Sequence, residues 1–190
     1  MFLLCGLGNP EDKYVNTRHN VGFKFIDKLI EKLNFETLKK DKKKQIFKGH
    51  IGKHNCLLIK PLTYMNLSGL AVQEVLNFYK IKKSNLFVIH DDLDLEIAKV
   101  KIKLGGGDGG HNGISSIDET IGKNYNRIRF GINHPGSKDL VSKYVLSKFS
   151  KKEMDVIESK LDKITEFIEL IFEDTSLFLT RIAADKKNGI

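Results

Sequence analysis

The sequence predicts an α/β fold in which strands and amphipathic helices alternate along one chain. Residues 2–7 and 86–90 are apolar runs of strand length, whereas residues 20–33 carry apolar side chains every three or four positions, as a helix does. Strands that alternate with such helices build a layered α/β domain. The 190 residues suit one domain, and neither a repeat nor a long linker divides them, so we expect a single domain over residues 1–190.

The first third of the chain predicts one helix and three strands. Residues 2–7 form a buried strand in this prediction, and residues 20–33 form the first helix. Residues 39–44 contain five lysines and one aspartate, which predicts a basic loop that is either a solvated face or a surface for RNA. Two further strands are expected near 45–51 and 56–60, joined by a turn.

The middle of the chain predicts a second helix and a strand with one cationic face. Residues 62–69 form a loop before an amphipathic helix at 70–79, and the apolar run 86–90 is the next strand. From residue 99 to 104, lysines and aliphatic residues alternate strictly, which predicts a half-buried strand. The lysines of its exposed face are Lys99, Lys101 and Lys103.

The last third predicts a glycine-rich loop, a strand and a long C-terminal helix. Residues 105–113 form the loop and lead into a short helix, and residues 127–132 form the strand. Apolar residues at intervals of three and four predict an amphipathic helix over about 150–173. We expect residues 184–190 to be a frayed, charged tail.

The composition is typical of a globular protein with a polyanionic partner. A formal charge of +8 and a pI near 9.3 favour nucleic-acid binding, although a lysine-rich surface that meets only solvent has the same composition. Cys5 and Cys56 lie in apolar runs, so we expect buried thiols and a reducing cytoplasm. No apolar run approaches the roughly 20 residues of a membrane span, and no signal peptide is recognisable.

Glycine-rich stretches raise the alternative of a dinucleotide-binding enzyme. Gly105–Gly110 satisfies the pattern G-x-G-x-x-G, but that fingerprint belongs after the first strand of a βαβ unit. The loop that does follow the first strand, Gly6–Glu11, lacks the third glycine. His111 and Asn112 stand where a phosphate-binding P-loop needs lysine and serine or threonine. The dinucleotide alternative predicts that NAD(P) stays bound during purification.

Metal-binding and nucleophile motifs are incomplete in this sequence. His50 and His54 have the spacing of helical zinc ligands, but Gly52 indicates a turn between them. Residues 92–96 resemble the start of a calcium loop, yet Ile97 stands where that loop needs glycine. Because no Gly-x-Ser-x-Gly elbow is present and no cysteine adjoins a base, we expect water as the nucleophile and no metal.

A set of polar residues at the ends of apolar runs predicts a hydrolytic site. These residues are Asn9, His19, Asn66, Asp91, His111 and Asn112. In an open α/β sheet such ends meet at one crevice. His19 can act as a general base, Asp91 can fix its tautomer, and amide side chains can bind an oxyanion. Each residue alone is more often a turn residue or a helix cap, and it is the whole set that favours a site.

Several longer motifs resemble the bacterial-type peptidyl-tRNA hydrolases. They are Gly6-Leu7-Gly8-Asn9-Pro10, Tyr14, Thr17-Arg18-His19-Asn20, Lys60-Pro61, Thr63-Tyr64-Met65-Asn66-Leu67-Ser68-Gly69, His90-Asp91-Asp92-Leu93-Asp94, Lys103–Gly113, Arg127–Ile132 and His134-Pro135-Gly136. They occur in the order of the family over residues 2 to about 150, and the final helix matches loosely.

The resemblance implies an enzyme that hydrolyses the ester between a peptide and the 3′ ribose of tRNA. It implies a single-domain three-layer α/β/α sandwich with a twisted, mixed and mostly parallel sheet, acting as a cytoplasmic monomer without metal or cofactor. The catalytic residues it implies are His19 as the base, Asp91 as its partner, and Asn9. The substrate-binding residues it implies are Tyr14, Tyr64, Asn66, His111 and Asn112. The tRNA-binding residues it implies are Lys101, Lys103 and Arg129.

The sequence departs from the family pattern in two loops. Glu11 stands where the family usually has glycine, and Glu96-Ile97-Ala98 replaces a common Pro-Gly turn. Neither change removes a catalytic group that the resemblance implies. The family fold also resembles an organellar splicing factor, so a catalytically silent RNA-binding relative is a second alternative, which an ester-hydrolysis assay separates from the enzyme.

Overall fold

The structure, a computed structural model, describes residues 1–184, and within them seven strands form one sheet. The strands are β1 Phe2–Gly6, β2 Glu36–Lys40, β3 Lys44–Ile51, β4 His54–Pro61, β5 Leu86–Asp92, β6 Val100–Leu104 and β7 Asn126–Gly131. The helices are α1 Val21–Leu33, α2 Ser68–Phe78, α3 Asn112–Ile121, α4 Val141–Val145, α5 Lys151–Phe167 and α6 Thr175–Ala183. Apart from Ala184, the predicted tail at 184–190 lies outside the described residues.

The sheet is mixed, with the strand order β2-β3-β4-β1-β5-β7-β6. The neighbours β4, β1, β5 and β7 are parallel, whereas β2, β3 and β6 join the sheet through antiparallel pairings. The C-terminal ends of the four parallel strands lie at one edge, which we call the carboxyl edge. Residues that follow β1 and β5 therefore meet there, as an α/β crevice requires.

Helices cover both faces of the sheet and complete the three layers that the resemblance implied. On one face, α1, α5 and α6 pack on the sheet in a core that contains Leu4 and Phe25. On the other face, α2 and α3 pack in a core that contains Leu3 and Val72. Leu3 and Leu4 point to opposite layers, and both are fully buried, so the strand is enclosed on both sides.

The start of α1 lies unusually close to the ends of β1 and β5. A Cβ atom on Gly22 would lie 2.4 Å from the Leu7 nitrogen and 2.6 Å from the Ile89 carbonyl oxygen, so only glycine fits. The Phe23 N–H donates to the Leu7 carbonyl oxygen at 3.2 Å across this contact. Because the start of α1 packs this closely on the sheet, the turn before α1 lies against the carboxyl edge.

The described elements differ from the predicted ones in three places. Residues 36–40 form the exposed edge strand β2, so only the residues that follow it remain of the predicted basic loop. The helix predicted over 150–173 is α-helical to Phe167 and continues as a 3-10 turn to Phe172, after which Asp174 caps the separate helix α6. Helix α4 was not predicted.

None of the helices described within residues 1–184 combines the length and the apolar character that a bilayer crossing requires.

Candidate active site

His19 lies in a 3-10 turn, Arg18–Asn20, between the end of β1 and the start of α1. The Arg18 guanidinium forms two hydrogen bonds of 2.9 Å with the Glu153 carboxylate in α5. The same guanidinium lies 4.3 Å from the ring centroid of Tyr144 and 4.9 Å from that of Phe149. These contacts, which the sequence analysis missed, fix the turn that carries His19 to the C-terminal part of the chain.

Asp91 lies between two imidazoles at the carboxyl edge. Its two carboxylate oxygens are 2.8 and 2.9 Å from Nδ1 of His19, and one of them is 2.8 Å from Nε2 of His111. Asp91 is 4% exposed and His19 is 8% exposed, so little water competes for these hydrogen bonds. The structure thus brings together His19 and Asp91, which the sequence analysis paired as a candidate base and its carboxylate.

The hydrogen bonds select one tautomer for each imidazole. Nδ1 of His111 caps α3 by accepting from the N–H groups of Gly113 and Ile114 at 3.1 and 3.3 Å. Its proton is therefore on Nε2, which donates to Asp91. His19 donates to Asp91 through Nδ1, which leaves the lone pair of Nε2 to accept a proton.

The charge of Asp91 sets the proton affinity of His19. Burial lowers the pKa of His19, but the negative charge of Asp91 and its hydrogen bonds outweigh burial and raise that pKa above its ordinary value. Burial raises the pKa of Asp91, but the two imidazoles hold it far below its ordinary range, so the carboxylate stays ionised. Burial lowers the pKa of the neighbouring His90 to about 3, so that ring stays neutral.

The same three side chains also have a spacing that suits a metal ion. Ligand atoms of His19, Asp91 and His111 lie within 4.8 Å of one another. However, the His111 nitrogen that faces Asp91 carries the proton in the neutral ring, and a metal ligand must offer a lone pair instead. Hydrogen bonds therefore account for the arrangement of this cluster.

Asn9 is held so that its amide nitrogen remains available. Its Oδ1 accepts from the Met65 N–H at 3.0 Å. Its backbone N–H and carbonyl form two hydrogen bonds of 2.9 Å with the side chain of Asn20. Because Oδ1 is occupied, Nδ2 is the group of Asn9 that can donate to a substrate. The positioning contribution of Asn20 was not predicted.

A cleft of about 840 Å³ unites these groups. Of the predicted site residues, its walls contain Asn9, His19, Asp91, Lys103, His111, Asn112 and Arg129. The side chain of Arg129 forms an ion pair with Asp92, which also lines the cleft. His134, Lys138 and the helix α4 complete the wall, and the sequence analysis assigned none of them to the site, although His134 belongs to a quoted motif.

The other predicted site residues lie outside the walls of this cleft. Tyr64 is 51% exposed, and its hydroxyl donates to the carboxylate of Glu11, the residue that departs from the family pattern. Tyr14 is half-buried, and Asn66 and Lys101 are exposed. Their contacts with a substrate stay predictions.

The glycine-rich loop crosses from β6 to His111 without the context of a dinucleotide site. Gly105, Gly106, Gly109 and Gly110 all have positive φ, which explains the glycines through backbone conformation. Arg127 supports the loop by donating to the Gly107 carbonyl oxygen at 2.8 Å. Because β6 and β7 are antiparallel, the loop does not lie in the parallel βαβ unit that a dinucleotide fingerprint requires.

The chain is similar in sequence to known proteins of one family. A family model described as peptidyl-tRNA hydrolase matches residues 3–188. A peptidyl-tRNA hydrolase of Bartonella quintana is 46% identical over 189 residues, which cover 99% of this chain and 98% of that protein. One of Rickettsia canadensis is 45% identical over 175 residues, which cover 92% of this chain and 95% of that protein.

The fold is also similar to that of a solved structure of the same family. The crystal structure of a peptidyl-tRNA hydrolase from Acinetobacter baumannii superposes with a TM-score of 0.89 at 37% identity, covering 97% of this chain and 95% of that chain. Sequence and fold therefore agree over nearly the whole length, and the chain belongs to the peptidyl-tRNA hydrolase family.

Proposed function

We propose that the chain hydrolyses the ester bond between a peptide and the 3′ ribose of tRNA, releasing free peptide and free tRNA. The observation that carries the proposal is the contact of 2.8 Å between Nδ1 of His19 and the carboxylate of Asp91. The pair lies on the wall of a cleft that Asn9 and Asn112 share. Membership of the family supplies the substrate class, and this pair supplies a base for the reaction.

In the proposed reaction, Nε2 of His19 removes a proton from water as the water oxygen attacks the ester carbonyl carbon. The amide of Asn9 or Asn112 donates to the oxyanion that forms. When the intermediate collapses, the bond from carbon to the ribose oxygen breaks, and His19 returns its proton to that oxygen. The ribose oxygen is a good enough leaving group that we propose neither a metal nor a cofactor.

The neighbouring side chains have supporting roles in this proposal. Asp91 orients His19 and stabilises the imidazolium, and His111 holds Asp91 from the other side. Lys103, Arg129 and Lys101 bind tRNA phosphates, which gives affinity without sequence reading. This suits an enzyme that accepts many tRNAs. Tyr14, Tyr64 and Asn66 contact the substrate beside the cleft.

We also propose that the protein acts as a cytoplasmic monomer with one domain over residues 1–190. The proposed catalytic groups come from the loop after β1, the turn before α1, the end of β5 and the start of α3 of a single chain. Cys5 and Cys56 are free and buried, as suits a reducing compartment. Burial raises the pKa of Cys56 to about 12, so its thiol stays protonated and unreactive.

The test is the release of tRNA from an N-acetylaminoacyl-tRNA by the purified protein. We expect multiple turnovers without added cofactor and the same rate in the presence of a chelator. Binding of tRNA without release above the rate in buffer would contradict the proposal and favour the silent RNA-binding relative. Stoichiometric NAD(P) on the purified protein would favour the dinucleotide-binding alternative.

A further inference from the structure

We propose that three lysines, one at the end of β2 and two in the turn between β2 and β3, form a second phosphate-binding surface, which contacts the body of the tRNA. These residues, Lys40, Lys42 and Lys43, are called the lysine turn. The inference rests on the proposed function, because it adds a contact for the same substrate. It concerns the phosphates beyond the 3′ end of the tRNA, not the reacting ester.

The strand register places the lysine turn at the carboxyl edge of the sheet. Lys40 pairs with Gln45, and Lys44 pairs with Pro61 at the C-terminal end of β4. β4 is the neighbour of β1, which ends just before Asn9. At ~4.8 Å per strand, β3 lies roughly 10 Å from β1 within the sheet. The lysine turn and the proposed active site therefore lie at the same edge of the molecule.

The three side chains of the lysine turn are exposed. They form no close ion pair among residues 1–184, although the carboxylates of Asp41 and Glu74 lie near them. By contrast, Lys39 lies 3.4 Å from Asp41, and Lys44 lies 2.7 Å from Glu74. Unpaired, exposed lysines are the side chains that bind phosphates most simply, as point charges.

Local hydrogen bonds hold the lysine turn in one conformation. One oxygen of Asp41 accepts from the backbone N–H groups of Lys43 and Lys44 at 2.8 and 3.0 Å. These backbone hydrogen bonds are the main reason that the pKa of Asp41 falls to about 2, so its carboxylate is charged at neutral pH. An ordered turn loses less conformational entropy when it binds a ligand than a flexible one does.

A surface depression connects the lysine turn to the active site. It has a volume of about 530 Å³, and its lining includes both Asn9 and Lys40. Asn9 also lines the catalytic cleft. Five carboxylates also line the depression, those of Glu11, Asp12, Asp27, Glu31 and Glu158. Within residues 1–184 three of them form ion pairs, since Lys13 lies 2.8 Å from Glu11, Lys60 lies 2.7 Å from Asp27 and Lys24 lies 2.9 Å from Glu158. An RNA chain that leaves the cleft past Asn9 can reach the lysine turn.

Protection of a sheet edge explains only part of this pattern. Lysines on an edge strand prevent pairing with other chains, which is sufficient for Lys39 and Lys40 on β2. Lys42 and Lys43 lie in the turn outside the strand, so edge protection does not require them. Lys103 lies on β6, five strands away from β3, or ~24 Å at the usual spacing. The two basic surfaces thus flank the cleft, and a molecule as long as tRNA can contact both.

The test compares two double variants of equal charge. Lys42→Gln/Lys43→Gln removes two lysines of the turn. Lys80→Gln/Lys82→Gln removes two exposed lysines that form no ion pair within residues 1–184 and that precede the N-terminal end of β5 at the opposite edge. Binding of deacylated tRNA is measured between 50 and 200 mM salt. We expect the turn variant to bind roughly tenfold more weakly at low salt, with a salt slope reduced by about one to two units. The control should match the wild type.

A short substrate separates the tRNA body from the 3′ end. We expect both double variants to hydrolyse an N-acetylaminoacyl ester of a CCA trinucleotide at the wild-type rate. A wild-type salt slope in the turn variant, an equal loss in the control, or slower trinucleotide hydrolysis by the turn variant would each overturn the inference. A different result would contradict the proposed function itself: wild-type protein that binds tRNA with the expected salt slope but releases no tRNA from N-acetylaminoacyl-tRNA.

Discussion

At the scale of single residues, one carboxylate organises two imidazoles into different states. Asp91 accepts a hydrogen bond from Nδ1 of His19 and another from Nε2 of His111. His111 uses its second nitrogen to cap α3, so its ring is fully engaged. Nε2 of His19 forms no hydrogen bond with the described residues 1–184, so of these two rings it is His19 that can accept a proton from water.

The first prediction concerns the pH dependence that Asp91 imposes. His19 must be unprotonated to act as a base, so kcat/KM should fall as the pH drops through the His19 pKa, which Asp91 raises. In Asp91→Asn the pKa of His19 should move to lower pH, and turnover should fall at least roughly 100-fold because the tautomer is no longer selected. NMR titration of the His19 imidazole measures the shift. Asp94→Asn is the control, and an equal pKa in wild type and Asp91→Asn would refute the assignment.

The second prediction concerns the donor that faces the oxyanion. Asn9→Asp keeps the oxygen that accepts from Met65 but replaces the donating NH2 group with a charged oxygen. We expect kcat to fall by roughly 10²–10³-fold, with little change in the melting temperature. Single-turnover kinetics at saturating substrate measure the effect. A near wild-type kcat in Asn9→Asp would move the oxyanion contact to Asn112.

The identity of the site residues could be predicted from the sequence, but the contacts that hold them in position could not. His19 and Asp91 stand at the ends of apolar runs, where an α/β sheet gathers its functional groups. The contact between Arg18 and Glu153 joins residues 135 positions apart, and no local pattern indicates it. Glu11 was recognised as a departure from the family, yet its hydrogen bond with Tyr64 depends on loop conformation that the sequence does not specify.

At the scale of elements, the packing of α1 on the sheet determines where His19 lies. The helix begins one residue after Asn20, and Gly22 lies against the backbones of Leu7 and Ile89. The turn that carries His19 therefore has its position set from two sides, by this glycine contact and by the ion pair of Arg18.

The third prediction tests this contact. Gly22→Ala should force α1 away from the sheet, cost about 1–3 kcal/mol in the free energy of unfolding, and slow turnover more than tenfold by displacing His19. Urea unfolding and kcat measure the two effects. Gly107→Ala is the stability control, because a Cβ there meets nothing within 4 Å. Wild-type stability and turnover in Gly22→Ala would show that the helix can shift without consequence.

The elements that sequence analysis missed lack a pattern of their own. Every residue of β2 is exposed, so no alternation of buried and exposed side chains indicates a strand. The apolar spacing of α5 continues through Phe178 and Ile182 because both helices pack in the same core, and periodicity does not register a change of direction. Strands with a buried face, such as β1, β5 and β7, were predicted within one or two residues.

At the scale of the whole molecule, which has a formal charge of +8, basic side chains form two surfaces that a polyanion can contact. Lys103 and Arg129 line the cleft, and Arg129 shares its charge with Asp92. The lysine turn lies at the carboxyl edge on the other side of the cleft. Composition indicated the charge, but only the strand order shows that the two surfaces flank the proposed active site.

The central claim is that His19 is the base, and removing its imidazole tests this claim most directly. His19→Ala should release tRNA from N-acetylaminoacyl-tRNA at least about 100-fold more slowly than wild type, since a positioned base contributes roughly 10²–10⁴-fold. Binding of tRNA should persist, and His50→Ala, which changes an exposed histidine on β3, should keep the wild-type rate. Turnover by His19→Ala at the wild-type rate would contradict the account.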